Sequence, residues 1–281
     1  MASSLLKSSF VAMWQSNRWA GIATKVKWLC LAISLAGVVL PTRFSVFLSV
    51  VIIACSVGLM MCEIKSRSVF QIARNARRRA LIEDAFGTDE SQQFLLSLEG
   101  ELSGVPEVVV AECQGKAVEF YNGTLLPGPL RFEYNVRQSV FWGKHLYFRC
   151  LQREAAYAVL IVLACIAILI LTLGYAGEAN REFVSRLMIC LLSIGVLLSD
   201  LDRVFRIFVT YREMSEMHAE LRGKAIINIQ LLIRFFVDYQ VLAAVSPPVS
   251  DAIFERNRSR LNSEWEAEAK LYAHLESEAA R

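Results

Sequence analysis

The sequence predicts an all-α membrane protein, with four transmembrane helices arranged as two hairpins and a cytoplasmic helical domain formed by the central insert and the C-terminal helices. Three observations lead there. The stretch Ala155 to Gly177 has no charged residue and, at roughly 1.5 Å of rise per residue, is long enough to cross a hydrocarbon core of about 30 Å. Two further uncharged runs, Trp28 to Thr42 and Phe44 to Cys62, are separated by only the connection around Pro41 and Arg43, which leaves no room for a soluble domain between them. The chain is 55% hydrophobic yet carries 30 Lys and Arg against 27 Asp and Glu, so apolar and charged residues are segregated into blocks. The apolar runs lack two-residue alternation. Since backbone groups in lipid must be satisfied within a helix or a closed barrel, these runs are helices.

The lead, residues 1–27, is basic and aromatic, with Phe10, Trp14, Trp19, Lys7, Arg18, Lys25 and Lys27. Two readings fit it, an interfacial helix with tryptophan at headgroup depth or a frayed terminus. No small-residue cleavage site follows the first apolar run, so residues 28–62 read as an uncleaved hairpin. Small residues recur four apart in it, at Ala32 and Ala36, Ser45 and Ser49, and Ala54 and Gly58, a spacing that lets helix backbones approach closely but also arises by chance.

The insert, residues 63–154, opens with a basic amphipathic helix bearing Arg67, Arg74, Arg77, Arg78 and Arg79. This cluster fits an anchor for anionic lipid, and it also fits a site for a phosphate ligand. It is too small, and too poor in interleaved aromatics, for a nucleic-acid polymer. Next come a short helical pattern (SQQFLLSLEGEL), a strand-like run (EVVVAEC) and a turn-rich piece (YNGTLLPGPL). The insert closes with RFEYNVRQSVFWGKHLYFRCLQRE, expected to be an amphipathic helix on the inner membrane surface that feeds the third span.

Residues 155–199 form the second hairpin. Its second arm is uncharged only from Leu187 to Ser199, but the helical pattern continues almost to Ser246. Asp200 with Arg203 and Asp202 with Arg206 are spaced to pair along one helix face. Either they pair at the membrane border, or they line a water-filled mouth, because charges near lipid must face a cavity or a partner. Within residues 200–281, Ile226 to Ala244 looks like a fifth span. Arg234 and Asp238 near its centre oppose insertion, and a buried cytosolic helix at a subunit contact is the better reading. Ser246-Pro-Pro breaks the chain, and a solvated terminal helix capped by Ser250 ends it.

Lys and Arg place both termini and the insert on one side, since the opposite turns hold only Arg43, Arg181 and Arg186. By the positive-inside rule that side is the cytoplasm. There is no CxxC or HExxH, no P-loop, no GxGxxG, and no nucleophile with a base at motif spacing, so no metal, cofactor or enzymatic role is expected.

The layout of two helical hairpins, the stretch from Arg131 to Trp142 (RFEYNVRQSVFW), the helix with IQLLIRFF, and the Pro-Pro break leading into SDAIFERNRSRLNSEW together resemble the SMODS-associated four-transmembrane effectors. The resemblance implies a pore-forming effector of a bacterial anti-phage system. Such an effector is a homo-oligomer in the inner membrane that senses a cyclic dinucleotide or related oligonucleotide made by a cGAS-like nucleotidyltransferase. A dianionic ligand of this kind calls for arginines and aromatic faces. Arg203, Arg206, Tyr211, Arg212, Arg234 and Tyr239 are the first candidates, with Arg131 and Arg137 second, and Asp200, Asp202, Arg203 and Arg206 are the candidates for the gate. Two other functions are open to the sequence, a constitutive channel or transporter and a membrane-anchored scaffold.

Overall fold

The computed structural model describes residues 2–39, 44–87, 105–120, 125–173, 180–222 and 228–279. Among them are seven helices and no strand: α1 (Ala2–Val39), α2 (Ser45–Phe86), α3 (Glu107–Phe120), α4 (Pro129–Leu173), α5 (Asn180–Arg222), α6 (Ile229–Val245) and α7 (Asp251–Ala279). The strand expected at EVVVAEC is instead the start of α3. Its Val108–Val110 run favours a strand locally, but Cys113 and Ala117, four apart, are the residues it buries among those described, and tertiary packing overrides a short β-propensity signal. The helical pattern SQQFLLSLEGEL lies outside the described residues.

Among the described residues three helices, α1, α2 and α4, are long and apolar enough to cross a membrane. The run Leu187 to Ser199 falls within α5, although its side chains up to residue 196 lie outside the described residues. At 45 residues α4 is longest; at roughly 1.5 Å per residue it measures about 68 Å, so a hydrocarbon layer of about 30 Å encloses only part of it.

The chain divides into two compact units, and α1, α2, α4 and α5 contribute residues to both. The apolar unit comprises Arg18–Ser66 and Leu151–Phe205. Its core joins Cys30 and Leu31 of α1 to Ile161 and Cys165 of α4, with Cys55 and Leu197 packed against them. Its outer faces are apolar too: Val50, Ile53, Val57 and Met61 of α2 and Val159, Leu163, Ile166 and Ile170 of α4 are exposed. A water-soluble protein rarely exposes so much contiguous apolar surface, whereas lipid covers it at no cost. The hydroxyls of Ser34 and Ser56 donate to the carbonyls of Cys30 and Ile52 one turn back, satisfying themselves inside their own helices. Of the recurrent small residues, Ala32 and Ala54 are exposed and a Cβ on Gly58 would meet nothing within 4 Å, so these three bring no helices together within the chain.

The second unit comprises Met1–Asn17, Arg67–Cys150 and Arg206–Arg281. Its core gathers Leu5 and Leu6 of α1, Ala80, Leu81 and Ala85 of α2, Phe132, Val136 and Val140 of α4, Leu221 of α5, and Leu232 and Phe235 of α6. Three expectations change here. Residues at the start of the lead are core, Leu5 being fully buried, so the lead does not begin as a frayed terminus. The segment from Arg131 packs Val136, Val140, Phe141, Leu146 and Tyr147 against other helices; its apolar stripe is spent on protein and not on a membrane surface. The terminal helix α7 is no solvated helix, because Ile253, Leu261, Trp265 and Tyr272 are buried and the indole of Trp265 donates to Tyr134 Oη at 2.9 Å. The expected Ser250 cap is present, its Oγ accepting from Ile253 N.

Gly87, at φ 68°, ends α2 by donating to Glu83 O at 2.8 Å, the left-handed termination that glycine makes without Cβ strain. Gly87→Ala is expected to lower stability by about 1 kcal/mol, read as a lower thermal midpoint of the purified protein in detergent.

Candidate functional site

A cavity of about 310 Å3 lies inside the second unit. Helix α2 supplies Arg74, Arg77 and Arg78 to its wall; spaced i, i+3, i+4, they share one helical face. Trp14 comes from α1, Ser139, Trp142 and Tyr147 from α4, and Tyr239 from α6. Glu112 and Asp251 also line it, leaving three guanidinium groups against two carboxylates. Asp251 already accepts from Asn17 Nδ2 at 2.8 Å.

Of the three arginines, Arg78 is exposed and Arg74 half-buried. Arg74 Nη2 donates to Gln240 O at 3.1 Å and its guanidinium lies 5.7 Å from the Phe70 ring centroid. Its Nη1 is buried with no hydrogen-bond partner among the described residues, and so is Ser139 Oγ. A buried donor left without an acceptor costs about 1–3 kcal/mol, more when charged, so these atoms favour an acceptor-rich guest. Burial pushes the Arg74 pKa below its ordinary value, with the neighbouring Arg77 and Arg78 adding to the fall. The same burial pushes the Tyr147 phenol up, keeping it a neutral donor to Pro247 O at 3.1 Å. The cavity therefore combines cationic donors with flat aromatic surfaces, the two elements that bind phosphate-bearing heterocycles.

Of the candidate ligand residues, Tyr239 lines this cavity and the others do not. Arg131 forks onto Asp84 at 2.6 and 2.8 Å. Arg137 is buried, paired with Glu133 at 2.6 Å, donating to Leu221 O and stacked 4.3 Å over the Tyr272 ring. Tyr211 packs on Phe148 with centroids 5.3 Å apart. Arg212 reaches Glu216 at 3.1 Å on an exposed face, and Arg234 reaches Asp238 at 3.7 Å. Arg203 pairs with Glu154 at 3.3 Å, and Arg206 lies on α5, its carbonyl accepting from Thr210 Oγ1.

Among the gate candidates, Asp200 is buried and joined to Lys27 of α1, with Nζ to Oδ1 at 2.5 Å, while Glu63 of α2 lies 3.9 Å from the same ammonium. Asp202 is exposed. The expected pairing of Asp200 along its own helix is thus a pairing across helices within the apolar unit. The sequence registered Arg74, Arg77 and Arg78 as a basic cluster without separating a lipid anchor from a phosphate site. The available signal was Ala73, Ala76 and Ala80 beside them, small residues that allow close packing around that helix face.

A separate polar contact in the second unit joins α5 and α7. His218 Nε2 and Glu268 Oε1 are 2.8 Å apart, and Tyr272 Oη donates to the same carboxylate at 2.6 Å. Burial alone would raise the Glu268 pKa, but His218 and Tyr272 hold it at about 2, below its ordinary 4.5. A depressed carboxylate stabilises the fold above the unfolded value and loses that contribution as pH falls through the folded one. Stability is therefore expected to drop between pH 4.5 and about 2, and Glu268→Gln to be less stable at neutral pH with a shallower acid limb, as checked by thermal midpoints across that range.

No protein-family model, curated protein or solved structure matches this chain. Among the described residues, then, the chain is all-helical, with three helices long and apolar enough to cross a membrane and a pocket lined by arginines and aromatic side chains.

Proposed function

We propose that the chain is a ligand-gated membrane effector. In this reading the second unit is cytoplasmic and the cavity receives a cyclic dinucleotide or related cyclic oligonucleotide. Occupancy opens an ion-conducting path, or otherwise breaches the bacterial inner membrane, in anti-phage defence. Four spans in two hairpins, α5 carrying the fourth from Leu187 to Ser199, put both termini on the cytoplasmic side, and the working form is a homo-oligomer. The chain acts by binding and conduction, with no cofactor.

The observation that carries this is the buried Nη1 of Arg74, without a hydrogen-bond partner among the described residues, in a cavity it shares with Arg77, Arg78, Trp14 and Tyr239. Phosphodiester oxygens would accept from the guanidinium groups, and a base would stack on the aromatic side chains. About 310 Å3 lies at the lower end of ligand-site volumes, so the ring presents one nucleotide unit to the cavity. Shared helices carry the signal, because α2, α4 and α5 each contribute to both units.

Calorimetric titration of the purified protein with cyclic dinucleotides, cyclic trinucleotides, linear mononucleotides and inorganic pyrophosphate tests the ligand class. The reading expects saturable binding of at least one cyclic member and weaker binding of pyrophosphate, which lacks a base to stack. Equal affinity for pyrophosphate would make the cavity a plain phosphate site, and no binding of any cyclic member would remove the proposal.

A further inference from the structure

Helix α6 has two dissimilar sides. Leu232, Phe235 and Ala243 are buried, and Tyr239, Gln240 and Ala243 line the cavity. Its other side exposes Ile229, Ile233, Val237, Val241 and Val245, with Val237 at 49% and Val241 at 61%. These β-branched residues recur at every fourth position, which makes them one i±4n ridge, the surface feature by which helices interlock; χ1 restriction keeps such a ridge rigid. Beside it stand Arg234 and Asp238, 3.7 Å apart with side chains 76% and 54% exposed.

We propose that this face is where a second copy of the chain docks, α6 against α6 about a two-fold axis near Val237. This rests on the reading that the effector works as an assembly of copies. Ridge-into-groove packing of two i±4n ridges crosses helices at about −50°, so the contact centres on Ile233, Val237 and Val241 and opens towards the helix ends. An antiparallel two-fold brings Arg234 of one copy towards Asp238 of the other, and Asp238 towards Arg234. The mismatch between the centre of that charge pair and the centre of the ridge is about one residue, so the opposed groups are offset by about 3 Å at roughly 1.5 Å rise, within an arginine's reach. One opposite-charge pair on a helix face is thus self-complementary, as an isologous contact requires. A lipid surface is the poorer occupant. Interfacial helices carry Lys and Arg on the polar side, whereas the exposed polar residues here are Gln230, Arg234 and Asp238, with no net charge. Because the cavity takes its wall from the same helix, ligand and second copy address one rigid element.

Disulfide trapping on the full chain in liposomes tests this. Val237→Cys sits at the proposed axis and is expected to give an oxidised dimer that the unsubstituted chain does not. Adding Arg234→Glu or Asp238→Arg to it places like charges opposite each other, and each is expected to reduce trapping roughly tenfold. Mixing the two reversed chains is expected to restore a mixed dimer, which an interaction confined within one helix cannot do. The proposal falls if V237C gives no dimer, or if the reversals leave trapping unchanged. Mass measurement in detergent separates the two claims: assembled protein without V237C trapping moves the contact to another face, while a monomer with and without cyclic nucleotide removes the assembly reading and this inference together.

Discussion

In the proposed effector, replacing Arg74 and Arg77 together by alanine is expected to weaken binding of a cyclic nucleotide by about a hundredfold or more, and to abolish ligand-dependent leakage at concentrations that saturate the natural chain. Each charge-assisted hydrogen bond to a phosphate oxygen contributes about 1.5–3 kcal/mol, and about 2.7 kcal/mol is already a hundredfold. Arg74 also ties α2 to α6 through Gln240 O, so the thermal midpoint of the variant must be followed with its affinity. Arg74→Lys separates the two roles: it keeps the charge but loses the planar fork, and should recover only part of the affinity. Arg212→Ala is the control, since Arg212 lies outside the cavity and pairs with Glu216 on an exposed face. Equal loss in both variants would point to general charge and not to this cavity.

The second large effect is expected at the Lys27–Asp200 pair. Both side chains are about nine-tenths buried, at 10% and 11% exposure. Removing one partner strands the other as an uncompensated buried charge, which costs about 3–5 kcal/mol, whereas removing both together costs far less. Lys27→Met should therefore lower the thermal midpoint strongly, and Lys27→Met with Asp200→Leu should recover most of the loss, a coupling that a double-mutant cycle measures. Additive effects would mean that the two groups do not depend on each other. In the proposed effector this pair holds α1 to α5 where the apolar run of α5 ends, so a leak without ligand is expected in the single variant.

The helical class and the apolar runs were legible because uncharged length is a one-dimensional signal, and Ala155 to Gly177 carries it without help from any other part of the chain. The roles of the ends were not. Residues 2–17 and the helix from Asp251 look polar or mixed by composition, yet Leu5, Leu261 and Trp265 are core residues, because the helices they meet are distant in sequence. The site fell to the same problem. Tyr239 was singled out and does line the cavity, but Arg131, Arg137 and Arg212 are taken up by Asp84, Glu133 and Glu216. Among those pairings the sequence offered spacing for the two at i,i+4 and none for Arg131 with Asp84. Arg74, Arg77 and Arg78 were visible as charge, but only tertiary structure sets Trp14 and Tyr147 around the same cavity.

The central claim is that a ligand in this cavity opens the membrane. Dye efflux from liposomes carrying the purified chain, with and without a panel of cyclic dinucleotides and trinucleotides, tests it most directly. The account predicts efflux that starts on addition of one member of the panel and is lost in the Arg74→Ala, Arg77→Ala double variant. Efflux that runs without ligand, or that is the same in that variant, would contradict it, as would no efflux with any member of the panel.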